Sequence, residues 1–320
     1  MYTKEIYNGL LKSIAKCIDI SDEMFEAAEK TYKDLGKWID RETPDYEISI
    51  YPQGSFALGT VVRPITNADD YDLDIVCQFK KQYGLTAQEL KVDVVKPLLV
   101  RYKKASNEIE EKKRCWHIEY DEVPNFHMDV IPACAYGSAI QITDHNEDDD
   151  TYDYLGSNPS GYVKWFFDAC AKQRNRLYDQ YVKEHRMVVD QADVEDVKRR
   201  KVKTPLQRVV QILKRHRDIK FADDNSGNKP ISIIITTIAG RLYEEEDNIY
   251  DALSNILSKA PSWIMDNRKG QQFYIENPSY EGENFADKWN THPERANAFL
   301  QWLDTARKDL VDSTERLFAI

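Results

Sequence analysis

The chain has 320 residues, enough for one large domain or two smaller ones with buried cores. Its net charge of −11 argues against general nucleic-acid binding through the overall field, although a local basic pocket could hold a small polyanion. No apolar run approaches membrane-spanning length and the first residues do not resemble a signal peptide, so we expect a cytoplasmic protein. Five scattered cysteines without CxxC pairs argue against a zinc ribbon or a disulfide framework.

The N-terminal third begins with helical patterns and continues with a strand. Apolar residues at helical spacing predict two helices within residues 4–40, with Ser21 as the cap of the second. Residues 46–51 alternate in polarity and predict a strand, after which Gly54 and Ser55 open a short helix.

The next segments alternate between strands and a helix. Residues 72–79 predict a strand, and residues 86–102 predict a helix in which Thr86 and Glu89 match the capping-box pattern. Residues 115–122 and 125–132 predict two more strands. This order of elements predicts an α+β fold.

Composition changes after residue 142. Residues 143–161 are acidic and rich in turn-forming side chains, which predicts a surface crossover. Helical periodicity then dominates, and we predict helices at residues 162–182, 204–219, 230–245, 248–260 and 294–317. We therefore expect an N-terminal lobe of residues 1–160 and a helical lobe of residues 161–320.

Three carboxylates are the candidate catalytic residues. Asp72 and Asp74 are one residue apart on a predicted strand and so point to the same face, and Asp129 lies on a later strand in FHMDVIPA. Together they could hold two Mg²⁺ ions about 4 Å apart, which serve both ends of a nucleotidyl transfer. Asp72 and Asp74 would bridge the metals, and Asp129 would hold one of them and act as general base.

A DxD pair is a weak signal by itself, because it also occurs in ordinary loops and at strand edges. Here the pair lies in the apolar run DLDIVCQF, where an inward-facing carboxylate without a partner would be costly. Asp69 and Asp70 precede the strand and are interpreted as loop residues. The strand context therefore favours a functional role for Asp72 and Asp74.

The glycine-serine turn is a candidate phosphate site. Gly54 would let the backbone approach a phosphate, and Ser55 with the following amides could bind a triphosphate. The alternative is an ordinary strand-to-helix turn with Ser55 as the cap. The six histidines show no metal-ligand spacing, and His127, which should share a strand face with Asp129, is interpreted as an ordinary hydrogen-bonded strand residue.

These motifs together resemble the bacterial cGAS/DncV-like nucleotidyltransferases (CD-NTases), members of the DNA polymerase beta-like superfamily related to oligoadenylate synthase. The resemblance rests on segments that cover most of residues 51–290: QGSFALGTVVRP, YDLDIVCQF, FHMDVIPA, SNPSGYVKWF, KTPLQRVVQILKRHRD, KPISIIITTIAGRLY and NPSYEGENFADKW. It implies a polymerase-like catalytic lobe of mixed sheet and helices, a helical lobe, and an active site in the cleft between them.

The resemblance also implies site residues and cofactors. Gln53, Gly54 and Ser55 would contact the triphosphate, and the three aspartates would bind two Mg²⁺ ions, with Mn²⁺ as an alternative. In the helical lobe, Lys214 stands at the family's triphosphate-binding lysine, and Ser232 stands at a serine near the donor phosphates. The substrates would be nucleoside triphosphates, ATP among them.

The implied activity is template-independent synthesis of a cyclic di- or trinucleotide second messenger, which activates an effector protein in CBASS antiphage defence. The chain lacks the Cys/His cluster of the DNA-sensing relatives, which argues against activation by DNA. The basic segment at residues 198–203 could bind a regulatory RNA or protein, although a solvated loop is favoured.

Two other functions fit the same residues. One is a nucleotidyltransferase that makes a linear oligonucleotide or modifies a macromolecule or drug. The other is a nucleotide-binding regulatory partner with weak catalysis, for which the acidic surface leaves room. The sequence does not fix the nucleobases, the ring size or the linkage.

Overall fold

The protein is described by a computed structural model that covers residues 2–66, 71–104, 109–120, 126–185 and 201–313. The chain divides into two units. The sheet unit comprises Ile20–Ala57 and Arg63–Val163, and the helical unit comprises Met1–Asp19, Leu58–Val62 and Lys164–Ile320. The predicted division into lobes of residues 1–160 and 161–320 stays a prediction.

The secondary structure alternates helices and strands in the first half of the chain and is helical in the second. The strands are β1 (Ile48–Pro52), β2 (Tyr71–Phe79), β3 (Ile109–Glu111), β4 (Trp116–Glu119), β5 (Phe126–Tyr136), β6 (Ala139–Asn146) and β7 (Thr151–Ser157). The helices are α1 (Tyr2–Cys17), α2 (Asp22–Glu42), α3 (Gly54–Leu58), α4 (Lys96–Lys103), α5 (Pro159–Ala169), α6 (Ala171–His185), α7 (Pro205–Lys220), α8 (Ser232–Leu242), α9 (Ile249–Asp266) and α10 (Pro293–Arg307). Shorter turns are π-helical at Glu89–Val95 and Lys308–Asp312 and 3₁₀ at Asp287–Trp289. The α+β prediction is confirmed.

The sheet is mixed, and its one described parallel pair, β2 with β5, lies inside it. The order β1-β2-β5-β4-β3 is extended by β6, which pairs with β5, and by β7, which pairs with β6. Strands β2 and β5 run parallel, whereas the other described pairs are antiparallel. Leu73, Ile75, Val76 and Cys77 are fully buried, as expected for a central strand covered on both faces.

The first two helices follow the sequence prediction. Ser21 accepts a hydrogen bond from the Met24 backbone amide at 3.2 Å and caps α2, a contact typically worth about 1 kcal/mol. The apolar positions that predicted α2 form its buried face: Phe25, Ala28, Tyr32, Leu35 and Ile39. Thr86 and Glu89 also form the predicted capping box, because each backbone amide donates to the other side chain.

The predicted surface crossover at residues 143–161 is wrong, because most of this segment is paired strand. Strands β6 and β7 form a hairpin there, with Ile142 opposite Leu155. Ile140 and Ile142 are buried in a cluster with Ile131 and Ala133, against which Leu155 packs. The acidic turn at residues 147–150 obscured this pattern, because the apolar residues on either side of it are few and widely spaced.

Helix α7 organises the helical unit. Thr204 and Gln207 form a reciprocal capping box at its start, with Pro205 in the first turn. Four donors on one face of this segment bond to the backbone carbonyls of residues 58–61. Lys203 reaches Gly59 at 2.6 Å, Gln207 reaches Leu58 at 2.8 Å, Gln211 reaches Val61 at 2.8 Å, and Lys214 reaches Thr60 at 3.3 Å. These bonds attach residues 58–62 to the helical unit.

Among the helices described, none is long and apolar enough to cross a membrane.

Candidate active site

The Gln53–Gly54–Ser55 turn joins β1 to α3 at one end of the central strands. The Gln53 amide donates to the Asp74 carbonyl at 2.8 Å, so the turn is bonded directly to β2. Phe56, the next residue, is buried and stacks on Phe25 with ring centroids 4.5 Å apart. These contacts fix the short helix against α2 and hold the turn beside the strand that carries Asp74.

Gly54 is required by its backbone and by its neighbour. Its φ is +57°, a left-handed conformation that glycine adopts without steric cost. A Cβ at this position would lie 2.5 Å from Asp74 Oδ2, which is shorter than any normal contact. The turn therefore approaches the carboxylate with backbone alone.

The predicted carboxylates come together through the parallel pairing of β2 with β5. Asp74 lies opposite Asp129, and Asp72 lies opposite His127. Asp72 and Asp74 alternate with buried Leu73 and Ile75, so they share the more open face of β2. Asp69 and Asp70, predicted as loop residues, lie outside the described residues.

Asp129 and Asp72 each contact a histidine. His117 on β4 lies opposite Asp129, and its Nδ1 is 2.8 Å from Asp129 Oδ1. His127 Nε2 is 3.0 Å from Asp72 Oδ1. The two imidazole rings are themselves 4.4 Å apart between centroids. A carboxylate oxygen accepts hydrogen bonds, so each contact orients one oxygen of its aspartate.

Burial and the negative charge of this cluster raise the pKa of the neighbouring Cys115 thiol. Burial raises the pKa of Cys115, and the nearby charges of Asp129 and Asp74 raise it further. The thiol is also hydrogen-bonded to Asp129. Carboxylate oxygens gathered on one face of neighbouring strands are the ligands that hard divalent cations prefer, so this cluster could hold such ions.

The structure places Lys214 and Ser232 in the helical unit. Lys214 is 6% exposed, and its Nζ donates to the Thr60 carbonyl. Ser232 begins α8, where its hydroxyl accepts a hydrogen bond from Arg217 Nη1 at 2.8 Å. Arg217 also donates to the Pro230 carbonyl at 2.9 Å and is mostly buried. The nucleotide-binding roles of Gln53, Gly54, Ser55, Lys214 and Ser232 stay predictions.

Sequence reasoning missed contacts made by three residues of these arrangements. His117 was dismissed because it has no metal-ligand spacing, yet strand pairing brings it to Asp129. His127 does share a face with Asp129, as predicted, but its contact to Asp72 was not foreseen. Arg217 was passed over although it lies one helical turn from Lys214, a spacing that places both on neighbouring positions of α7.

Known proteins resemble this chain in sequence. Residues 48–132, which carry the turn and all three aspartates, match the family model described as the nucleotidyltransferase domain of cyclic GMP-AMP synthase DncV-like proteins. A c-di-GMP synthase of Roseivirga ehrenbergii is 30% identical over 313 residues, covering 94% of this chain and 78% of the relative. The cyclic dinucleotide synthase CdnG of Bradyrhizobium diazoefficiens is 23% identical, covering 95% of this chain and 75% of the relative.

Solved structures show the same fold. CdnG of Bradyrhizobium diazoefficiens, solved in complex with GTP, superposes with a TM-score of 0.73 at 22% identity. The match covers 97% of this chain and 92% of that one. The similarity to the c-di-GMP synthase over nearly the whole chain establishes the relationship. This protein belongs to the DncV-like nucleotidyltransferases, the CD-NTase family.

Proposed function

We propose that this protein joins nucleoside triphosphates, GTP among them, into a cyclic dinucleotide. The observation that carries the proposal is the register that sets Asp74 opposite Asp129, with Asp72 on the same face of β2. The relatives support the product class, because one is named a c-di-GMP synthase and another a cyclic dinucleotide synthase. GTP is favoured as a substrate because CdnG was solved with GTP.

Asp72, Asp74 and Asp129 would hold two Mg²⁺ ions, with Mn²⁺ as the alternative. The donor set fits these ions, because it consists of carboxylate oxygens and because Gly54 brings no side chain of its own against Asp74. When bound, such ions lower the pKa of an attacking hydroxyl and neutralise a leaving pyrophosphate. Asp129, which His117 orients, would accept the proton of the acceptor hydroxyl.

The remaining predicted residues would bind the donor nucleotide. The backbone at Gly54 and the Ser55 hydroxyl would contact the triphosphate, with Gln53 fixing the turn through its bond to β2. Lys214 would contribute a positive charge to the phosphates. Ser232 would add a hydroxyl, held by Arg217 in the orientation that the helical unit sets.

The product test uses equal amounts of the four ribonucleoside triphosphates with Mg²⁺, followed by phosphatase and mass spectrometry. We expect a phosphatase-resistant product with the mass of a cyclic dinucleotide that contains guanine. Asp74→Asn is the inactive control. A phosphatase-sensitive oligomer, or label fixed to a macromolecule, would replace this proposal with linear or modifying transfer.

We also propose that the product acts as a second messenger that activates an effector protein in CBASS antiphage defence. The proposal rests on the family relationship. Cells that carry the chain with its neighbouring genes should resist phage, and cells that carry Asp72→Asn with Asp74→Asn should not. If the double variant protected equally well, a regulatory role without catalysis would be the better description.

A further inference from the structure

The two histidines beside the carboxylates create a donor set that the transfer reaction does not need. His117, His127 and Asp129 each offer one ligand atom, and these atoms all lie within 4.8 Å of one another. His117 Nδ1 already lies 2.8 Å from Asp129 Oδ1, and the imidazole rings are 4.4 Å apart between centroids. Two nitrogens and an oxygen at this spacing can close around a single ion.

The three side chains are held by rigid elements. His127 and Asp129 alternate along β5, and His117 is the partner of Asp129 on β4. Their side chains are 16%, 24% and 18% exposed, so an ion could enter while the strands keep the donors in place. Asp72 contacts His127 Nε2 through Oδ1 at 3.0 Å but lies outside the three-donor group.

The nature of the donors selects the ion. Mg²⁺ prefers oxygen ligands in octahedral geometry, whereas imidazole nitrogen suits Zn²⁺ and Co²⁺. Two imidazoles and one carboxylate with an open fourth position is a known donor set for Zn²⁺ in proteins. Asp129 would coordinate such an ion, so this carboxylate would no longer be available to the catalytic ions.

We propose that His117, His127 and Asp129 form a site for a Zn²⁺-type divalent cation that competes with the catalytic ions for Asp129. The site itself depends only on the three donors, whereas its inhibitory effect rests on the proposed function. Binding and inhibition are therefore measured separately.

Binding is measured with Co²⁺ as a spectroscopic probe, on the metal-free full chain without nucleotide or Mg²⁺. We expect one equivalent to bind with the visible absorption bands of four- or five-coordinate Co²⁺. His117→Gln and His127→Gln should each weaken binding by at least about tenfold, because each removes one ligand. His145→Gln is the matched control, because His145 also pairs with a carboxylate, Asp150, at 3.0 Å but lies outside the three-donor group.

NMR on the unaltered protein tests the site even if a variant fails to fold. Addition of Zn²⁺ should shift the ring-nitrogen NMR signals of two histidines, and the His117→Gln and His127→Gln spectra should assign them. Zn²⁺ should also inhibit product formation at fixed Mg²⁺, with weaker inhibition of His127→Gln. Co²⁺ binding that is unchanged in both variants would overturn the site, whereas binding without any product would leave the site standing and count against the proposed function.

Discussion

Asp74 on β2 lies directly opposite Asp129 on β5 in a parallel pair of strands. Residues far apart in the sequence therefore present their carboxylates side by side. Such a pair repels itself unless cations or hydrogen bonds compensate, and His117 compensates one member. This relationship leads to the first prediction.

Asp74→Asn and Asp129→Asn should each lower the rate of product formation at least about 100-fold, because each removes a carboxylate from the proposed ion site. The free energy of unfolding should not fall, since each substitution removes the charge repulsion between Asp74 and Asp129. Asp153→Asn on β7 is the control, because Asp153 is exposed. Rates come from product assays, and stability comes from urea unfolding. Full activity in either site variant would contradict the assignment.

Gly54→Ala separates backbone strain from the contact with Asp74. Gly54 and Gly84 both have positive φ, at +57° and +76°, so alanine at either should cost about 1–2 kcal/mol of stability. A Cβ at Gly84 meets nothing within 4 Å, whereas at Gly54 it lies 2.5 Å from Asp74 Oδ2.

We therefore expect Gly54→Ala to lose at least about tenfold in activity and Gly84→Ala to retain it, each measured beside urea unfolding. Equal activity in the two variants would show that the approach of Gly54 to Asp74 is irrelevant to the reaction.

His216 should make stability depend on pH. Burial lowers its pKa below the ordinary value, and its Nδ1 accepts a hydrogen bond from Trp302 Nε1 at 3.1 Å, which requires that nitrogen to be unprotonated. The unfolded chain therefore binds this proton more readily than the folded one. Stability should be complete above pH 7 and should decrease as the pH falls through 6.5 toward 5.

His216→Gln removes the titrating group, so its unfolding free energy should vary less over the same range. His292→Gln, on an exposed histidine, serves as the control. The lowered pKa of Asp309, caused first by Lys220 and then by His216, acts in a separate window at lower pH, where loss of its charge reduces stability. An identical pH profile for His216→Gln and the unaltered protein would contradict the prediction.

Lys91 should be important for the stability of the sheet unit. Its buried ammonium donates to the carbonyls of Lys112 and Lys113 at 2.6 and 3.0 Å and lies 3.1 Å from Glu111 Oε1. Lys91→Met leaves these acceptors without their donor and should cost about 2–4 kcal/mol. Lys96→Met is the matched control, since Lys96 is exposed and its ammonium lies 5.0 Å from the centroid of the Trp116 ring. Chemical denaturation measures both, and equal losses would argue against the buried network.

Cysteine reactivity should single out Cys17. It is the exposed cysteine, whereas Cys77, Cys115, Cys134 and Cys170 are buried. Burial raises the pKa of Cys77 to about 12 and that of Cys170 to about 11, so these thiols are also poor nucleophiles. An aromatic disulfide reagent should modify one thiol rapidly in the folded protein and none in Cys17→Ser. Rapid modification of a second thiol would contradict the described burial.

The sequence alone determined the elements whose signals are local. The spacing of Phe25, Tyr32 and Ile39 fixed the buried face of α2, and Ser21 fixed its start. The alternation around Asp72 and Asp74 identified their common face. Such patterns can be recognised because a helix or strand repeats along the chain itself.

The tertiary structure decided what depends on pairing between distant segments. The register of β4 against β5 puts His117 on Asp129, and a shift by one residue would turn that histidine to the other face. The hairpin of β6 and β7 was likewise not predicted. Strand β5, with which β6 pairs, and part of the buried cluster lie elsewhere in the chain. The sequence therefore predicted the candidate carboxylates, and strand register decided which side chains contact them, because register is set by the packing of the whole sheet.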